Sequence, residues 1–158
     1  MEATMTRTDR IEQQIRLTAT RTRVWRALTI PTEFGKWFGV ALTGNSVAPG
    51  AVLRGPLTSG GCGHADMLFE ATVEAVVPES RYSLRWHPYA VEPGVDYSGE
   101  PTTLITFSLE DVPGGTLLRV VETGFDKMPA ARRAKAFEMN THGWTKQLEN
   151  IGKYLAAG

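Results

Sequence analysis

The stretch that decides the fold is residues 137–155, FEMNTHGWTKQLENIGKYL. One threonine and the larger apolar side chains recur there at spacings of four, three, four, three and four residues, which places them on one face of an α-helix. The same spacing is typical of a coiled coil, but a single such helix favours packing against a sheet of its own chain. The sequence therefore predicts a long C-terminal helix that begins near Pro129. Its stripe consists of Phe137, Thr141, Trp144, Leu148, Ile151 and Leu155.

Upstream of this helix the hydrophobic pattern predicts strands and two short helices. Residues 10–19 alternate between apolar and polar side chains, which is typical of a half-buried strand. Thr20 or Thr22 can cap a short helix, and Pro31 suits the first turn of a second one. Further strands are expected at residues 51–58, 65–77, 81–87, 102–110 and 116–123. The intervening loop 88–101 is long for a hairpin connection, and we expect a connector, a cavity lid or a dimer contact.

Length and composition limit the function classes. The 158 residues suit one domain, and residues 1–9 are expected to be disordered. Lys and Arg balance Asp and Glu at 17 each, so a nucleic-acid partner is not expected. The densest basic cluster, Arg132, Arg133 and Lys135, is short and is interpreted as a solvated helical face. Neither a signal peptide nor an apolar run of the roughly 18 residues that a membrane span needs is visible. Cys62 is the only cysteine, which favours a reducing cytoplasm.

Cys62 and His64 form a Cys-x-His pair in a glycine-rich loop. Both residue types bind zinc, but a structural site needs four ligands and a catalytic site three. Only His87 and Asp66 could join them, and only if the fold brought them together. A Cys–His nucleophile pair would lack a group to orient the histidine. We therefore predict no metal and no cofactor.

Two segments carry a resemblance to a known family. Residues 19–28, ATRTRVWRAL, followed by residues 31–38, PTEFGKWF, resemble the opening of bacterial START-like (SRPBCC) proteins, and in particular the homologues of the activator of the 90-kDa heat-shock-protein ATPase. The ETGF run at residues 122–125, Gly143-Trp144 and Tyr154-Leu155 fit as well. The resemblance covers residues 10–156, so that residues 10–158 would form a single START-like domain.

This resemblance implies an α+β helix-grip fold. A curved antiparallel sheet of six or seven strands would surround the long C-terminal helix, with two short helices after the first strand and a cavity between sheet and helix. Members of the superfamily include lipid carriers, hormone binders, polyketide cyclases and co-chaperones. The namesake activator has a separate chaperone-binding domain for which this chain has no room, so its co-chaperone activity is not carried over.

The expected function is non-enzymatic binding of a small hydrophobic or aromatic molecule in that cavity, by a monomer or weak dimer. Aromatic side chains would line the cavity, although most of them would serve equally well as plain core. Thr141 either leaves room for a ligand or hydrogen-bonds its own helix. The candidate lining residues are Trp37, Phe38, Phe69, Trp86, Phe107, Glu122, Phe137, Thr141 and Trp144.

Glu122 is the candidate that could carry chemistry. It shares strand parity with Leu118 and Val120, while Arg119 has the opposite parity, so Glu122 is expected to face inward. It could anchor a polar ligand group, or be wetted at the strand end and paired with an arginine or a backbone amide. A cyclase or hydrolase would need Glu122 together with His87 or His142. A chaperone-linked interaction module without a ligand is the third possibility.

Overall fold

The computed structural model describes residues 10–58, 68–88, 96 and 98–157. The chain begins with strand β1 (Arg10–Leu17), followed by helices α1 (Arg21–Thr29) and α2 (Pro31–Phe38). Strands β2 (Val52–Pro56), β3 (Leu68–Val77), β4 (Arg81–Trp86), β5 (Thr103–Val112) and β6 (Gly115–Thr123) come next. A single 3₁₀ turn, Phe125–Lys127, leads into the long helix α3 (Ala130–Ala157).

Six strands form one curved antiparallel sheet in the order β1-β6-β5-β4-β3-β2. The four pairs β2-β3, β3-β4, β4-β5 and β5-β6 join strands that follow one another along the chain, whereas the last strand, β6, pairs on its other side with the first strand, β1. Helix α3 packs against α2 and against β1. The expected α+β helix-grip architecture is confirmed, with the core between the sheet and the helices.

The helix starts follow the local sequence. The Thr20 side chain accepts a hydrogen bond from the backbone N–H of Arg23 at 3.2 Å and so caps α1. Pro31 occupies the first turn of α2, where its missing N–H costs nothing. Gly39 ends α2 with φ of 96°, a left-handed conformation that glycine adopts without strain.

Strand β2 was expected to be weak because of Gly55 and Pro56, and the structure gives Gly55 a packing role. A Cβ atom at this position would overlap the carbonyl oxygen of Ala41. The segment after α2 crosses β2 at this point, and the Ala41 N–H donates to the Pro56 carbonyl at 2.9 Å. The glycine is therefore required by the close approach of two backbones.

The predicted apolar stripe of α3 is confirmed at the centre of the helix, but its residues toward both ends are only partly buried. Trp144, Leu148 and Ile151 are buried, whereas Phe137, Thr141 and Leu155 are only half-buried. Ala136 faces the core in place of Phe137 and is fully buried. The ring of Phe137 packs instead against Phe125 of the 3₁₀ turn, with 5.5 Å between ring centroids.

One further expectation needs correction. The basic cluster at residues 132–135 was interpreted as a solvated helical face, but Arg132 is half-buried. Its guanidinium forms an ion pair with Glu100 at 3.0 Å and donates to the Pro88 carbonyl at 3.0 Å. The His87 ring nitrogen Nε2 lies 3.0 Å from the Glu100 carbonyl oxygen. The two ends of the 88–101 loop are thus held against the first turns of α3.

Candidate functional site

The candidate site is built around Glu122, near the end of β6. Leu118 and Val120 share its strand face and are completely buried, while Arg119 points outward and bonds to Gln14. Glu122 itself is 0% exposed. The parity prediction is confirmed, and the alternative of a wetted carboxylate paired with an arginine or a backbone amide is wrong.

Four neutral side chains donate hydrogen bonds to this carboxylate. Oε1 accepts from the indole N–H of Trp144 at 2.8 Å and from the Asn140 amide at 3.0 Å. Oε2 accepts from the indole N–H of Trp86 at 2.7 Å, from the Thr103 hydroxyl at 2.6 Å and from the Asn140 amide at 3.1 Å. Glu122 therefore joins three neighbouring strands to α3. A buried carboxylate is tolerated only when its oxygens are satisfied in this way.

The carboxyl group can be accommodated in two protonation states. Burial has the largest influence and raises the pKa of Glu122, and the four hydrogen bonds offset only part of this increase. The two indoles and the amide can only donate, so the ionised form uses every partner. In the protonated form, the hydroxyl of Thr103 can accept a hydrogen bond where it stands, whereas Asn140 would have to flip its amide to do so. Thr103 can therefore reverse the direction of its hydrogen bond as Glu122 gains or loses a proton.

Aromatic rings surround the carboxylate. Trp144 lies 6.3 Å from Trp86, 6.2 Å from Phe38 and 5.7 Å from Phe107, measured between ring centroids. Phe69 lies 5.3 Å from Phe38 and 5.8 Å from Trp86. These five rings form one cluster, which we call the aromatic cluster. They provide the low-dielectric surroundings that perturb the carboxyl group.

Three other predicted lining residues lie at its margin or outside it. Trp37 touches Phe38 at 5.8 Å, but its indole N–H is bound to the Ala27 carbonyl of α1 at 2.8 Å. Phe137 packs against the 3₁₀ turn. The Thr141 hydroxyl donates to the carbonyl of Phe137 at 2.7 Å, so the second alternative, a hydrogen bond to its own helix, is the one observed.

The sequence reasoning missed two of the four partners of Glu122. Thr103 has the same parity in β5 as Ile105 and Phe107, and an inward threonine at a strand end was the available signal. Asn140 was visible as a polar residue one turn before Trp144. Among the four partners, Thr103 and Trp144 are buried, whereas Trp86 and Asn140 are half-buried. The site is therefore sealed on one side and reaches toward solvent on the other.

The two histidines named for an enzymatic mechanism do not hydrogen-bond to Glu122. His87 is engaged with the Glu100 carbonyl, and His142 is exposed on α3. Cys62, His64 and Asp66 lie outside the described residues. Within the part of the chain that the structure describes, no group of three or more potential ligands could hold a metal ion.

A C-terminal helix gripped by an antiparallel sheet, with a polar anchor buried beneath it, defines a START-like domain. Residues 18–156 match the family described as Activator of Hsp90 ATPase homolog 1-like protein, and the chain belongs to this family. No curated protein matches the sequence significantly. Among the described residues, no helix combines the length and apolarity needed to cross a membrane.

Solved structures of several bacterial proteins share the fold. MLL2253 from Mesorhizobium loti superposes with a TM-score of 0.70 at 22% identity, over 94% of this chain and 97% of that one. NE0264 from Nitrosomonas europaea superposes with a TM-score of 0.70 at 18% identity, over 95% of this chain and 96% of that one. CalU16 from Micromonospora echinospora superposes with a TM-score of 0.60 at 21% identity, over 92% of this chain and 74% of that one. Identities this low establish a likeness of fold only.

Proposed function

We propose that the chain binds a small hydrophobic or aromatic molecule beneath α3, and that Glu122 accepts a hydrogen bond from a donor group of that molecule. One observation carries this proposal: a fully buried carboxylate is hydrogen-bonded to the two indoles of the aromatic cluster. Small-molecule sites combine apolar and aromatic walls with a few polar groups that fix orientation. A carboxylate supplies the strongest acceptor available to a side chain.

The half-buried partners of Glu122 indicate where such a ligand would enter. Trp86 and Asn140 face the side that reaches toward solvent, so either can move without exposing the sealed side of the site. The hydroxyl or amine of a ligand would then take the position of the Asn140 amide, 3.0 Å from Oε1. This exchange keeps the carboxylate hydrogen-bonded. The apolar body of the ligand would pack on the rings of the aromatic cluster.

Binding without catalysis fits the site better than the alternatives. Acid–base catalysis requires a second group within reach of the same substrate. All four groups that contact the Glu122 carboxylate are neutral and do not titrate near neutral pH. A chaperone-linked interaction module gives no role to a buried carboxylate. Capture of a chaperone of the 90-kDa class by the full chain would favour that module over a ligand.

Matched ligands test the proposal directly. Naphthalene and 2-naphthol have the same apolar body, and only 2-naphthol carries a donor. We expect saturable shifts of the Trp86 and Trp144 indole signals in ¹H–¹⁵N spectra, while the indole of Trp25, which packs on Tyr82 under α1, stays unchanged. A hydrogen bond to a charged group contributes about 1.5–3 kcal/mol, but the hydroxyl replaces the Asn140 amide and gains only the difference between the two bonds, so 2-naphthol should bind more tightly than naphthalene by up to about tenfold.

Variants of one helix separate anchoring from general damage. Asn140→Ala removes the side chain that competes with the ligand donor, and we expect it to increase the preference for 2-naphthol over naphthalene. His142→Ala is the control, because His142 is exposed on the same helix and makes no contact with Glu122. Equal affinities for the two ligands in the unmodified chain, or no saturable response to either, would overturn the proposal.

A further inference from the structure

A second candidate site lies outside the core, between the end of α2 and the middle of α3. An open groove of about 680 Å³ separates the two helices. Trp37 and Phe38 line its apolar part, together with the backbone of Gly39. Lys36 of α2 and Lys146 and Lys153 of α3 line it as well. Its volume falls within the range of small-molecule pockets.

The charge of this groove is one-sided. No acidic residue lines it, and all three lysines are exposed. Within the described ranges, none of the three forms an ion pair with a carboxylate. Glu33, the acidic residue of α2, forms an ion pair with Arg23 at 2.7 Å and accepts a hydrogen bond from the Tyr154 hydroxyl at 2.8 Å. Three lysines without an ion-pair partner therefore line one groove in a chain of zero formal net charge.

Gly143 provides an independent observation. It lies in the interior of the 28-residue helix α3, where glycine is less favourable than alanine. No atom of the described residues comes within 4 Å of the position that a Cβ would take, so packing does not require the glycine. Gly143 lines the groove, and the missing side chain leaves its wall open next to the lysines.

We propose that this groove binds a small anionic amphiphile, whose carboxylate or phosphate group is held by Lys36, Lys146 and Lys153. Lysine ammonium groups bind such anions as point charges that adapt to either head group. The apolar part of the ligand lies along Trp37 and Phe38 and approaches the helix backbone at Gly143. Phe38 lies between this groove and the aromatic cluster, but the lysines and Gly143 do not contribute to the Glu122 site, and the proposal does not depend on the function proposed for Glu122.

Octyl probes allow the test on the full chain. Octanoate and octyl phosphate carry the anion, 1-octanol carries the same chain without charge, and inorganic phosphate supplies the anion alone. We expect saturable shifts of the Gly39 and Gly143 amide signals with both anionic octyl probes, and weaker or no response to octanol and inorganic phosphate. Added salt should weaken binding because exposed charges are screened. The Trp86 indole signal reports on the Glu122 site in the same spectra, so the two proposals can fail separately.

Lysine variants identify the head-group contacts. Each of Lys36→Gln, Lys146→Gln and Lys153→Gln should weaken octyl phosphate binding about two- to fivefold, as expected for one exposed charge contact. Lys127→Gln is the matched control, because Lys127 is exposed and lies outside the groove. Gly143→Ala should weaken binding while the helix content stays unchanged.

Three outcomes would overturn the proposal. One is that octanol binds as tightly as octyl phosphate, because the lysines would then contribute nothing. Another is that all three lysine variants bind like Lys127→Gln. The third is that the groove signals respond only to vesicles of anionic phospholipid and not to the monomeric probes, which would assign the lysines to a membrane surface.

Discussion

Replacing Glu122 by glutamine tests the central feature of the site with almost no change in volume. The amide oxygen can take the place of Oε1 and keep the bonds from Trp144 and Asn140. The amide nitrogen then lies at the position of Oε2, where it can donate to the hydroxyl of Thr103 but opposes the indole N–H of Trp86. One donor is left unsatisfied, and such a loss costs about 1–3 kcal/mol. We expect Glu122→Gln to reduce the free energy of unfolding by about this amount in mild acid, where the native carboxyl is protonated.

The difference between the two proteins should depend on pH in a defined direction. The folded-state pKa of Glu122 is raised from its ordinary value of 4.5, so the folded state binds this proton more tightly than the unfolded state. Stability from this group is therefore fully present below about pH 4.5 and is lost as the pH rises through the folded pKa. The glutamine variant lacks this contribution. Its deficit should be largest near pH 4.5 and should narrow at higher pH, with a slope of at most about 1.4 kcal/mol per pH unit.

Urea unfolding followed by far-UV circular dichroism, repeated at intervals from about pH 4.5 to 8, measures this difference. Glu110→Gln is the matched control, because Glu110 is exposed on the neighbouring strand β5. Its deficit should be small and independent of pH. A deficit of Glu122→Gln that grows with pH would refute the reasoning, because it would mean that the four donors hold the buried carboxyl in its ionised form.

Four further substitutions test other parts of the structure. The hydroxyl of Tyr82 is buried and has no hydrogen-bond partner among the described residues, so Tyr82→Phe should leave the urea midpoint unchanged or raise stability by about 1 kcal/mol. Gly143→Ala should raise the melting temperature, since alanine is better than glycine in a helix interior by about 1 kcal/mol. Gly115→Ala should lower the melting temperature and reduce the free energy of unfolding by about 1–3 kcal/mol, because the added Cβ would overlap the Leu17 carbonyl. Tyr154→Phe removes a bond to Glu33, whose pKa is lowered because hydrogen bonds from Tyr154 and Arg23 outweigh the opposing effect of burial. This loss, about 1–2 kcal/mol by urea titration at pH 7, should shrink in acid, since stability from a lowered carboxyl pKa disappears as the pH falls through it.

The sequence alone determined which side chains face inward. Periods of two and 3.6 residues are local properties, so the apolar centre of α3 around Trp144 and the inward direction of Glu122 in β6 could be predicted without any knowledge of packing. The same pattern gave the order of the elements, and the family resemblance then implied a sheet that surrounds the C-terminal helix. The period predicted the buried face less well at the ends of α3, where Ala136 and not Phe137 is fully buried.

Only the tertiary structure decided what Glu122 meets. Trp86 lies opposite Thr103 because of the register in which β4 and β5 pair, and a loop as long as the one between them does not specify that register. The crossing of α3 over the sheet brings Asn140 to the Glu122 carboxylate. The packing of α3 against α2 brings Lys36 to the same groove as Lys146 and Lys153. Strand register and helix crossing depend on contacts between residues far apart in the chain. The sequence could therefore predict that Glu122 faces inward, whereas its complete burial and its partners followed from how the elements pack.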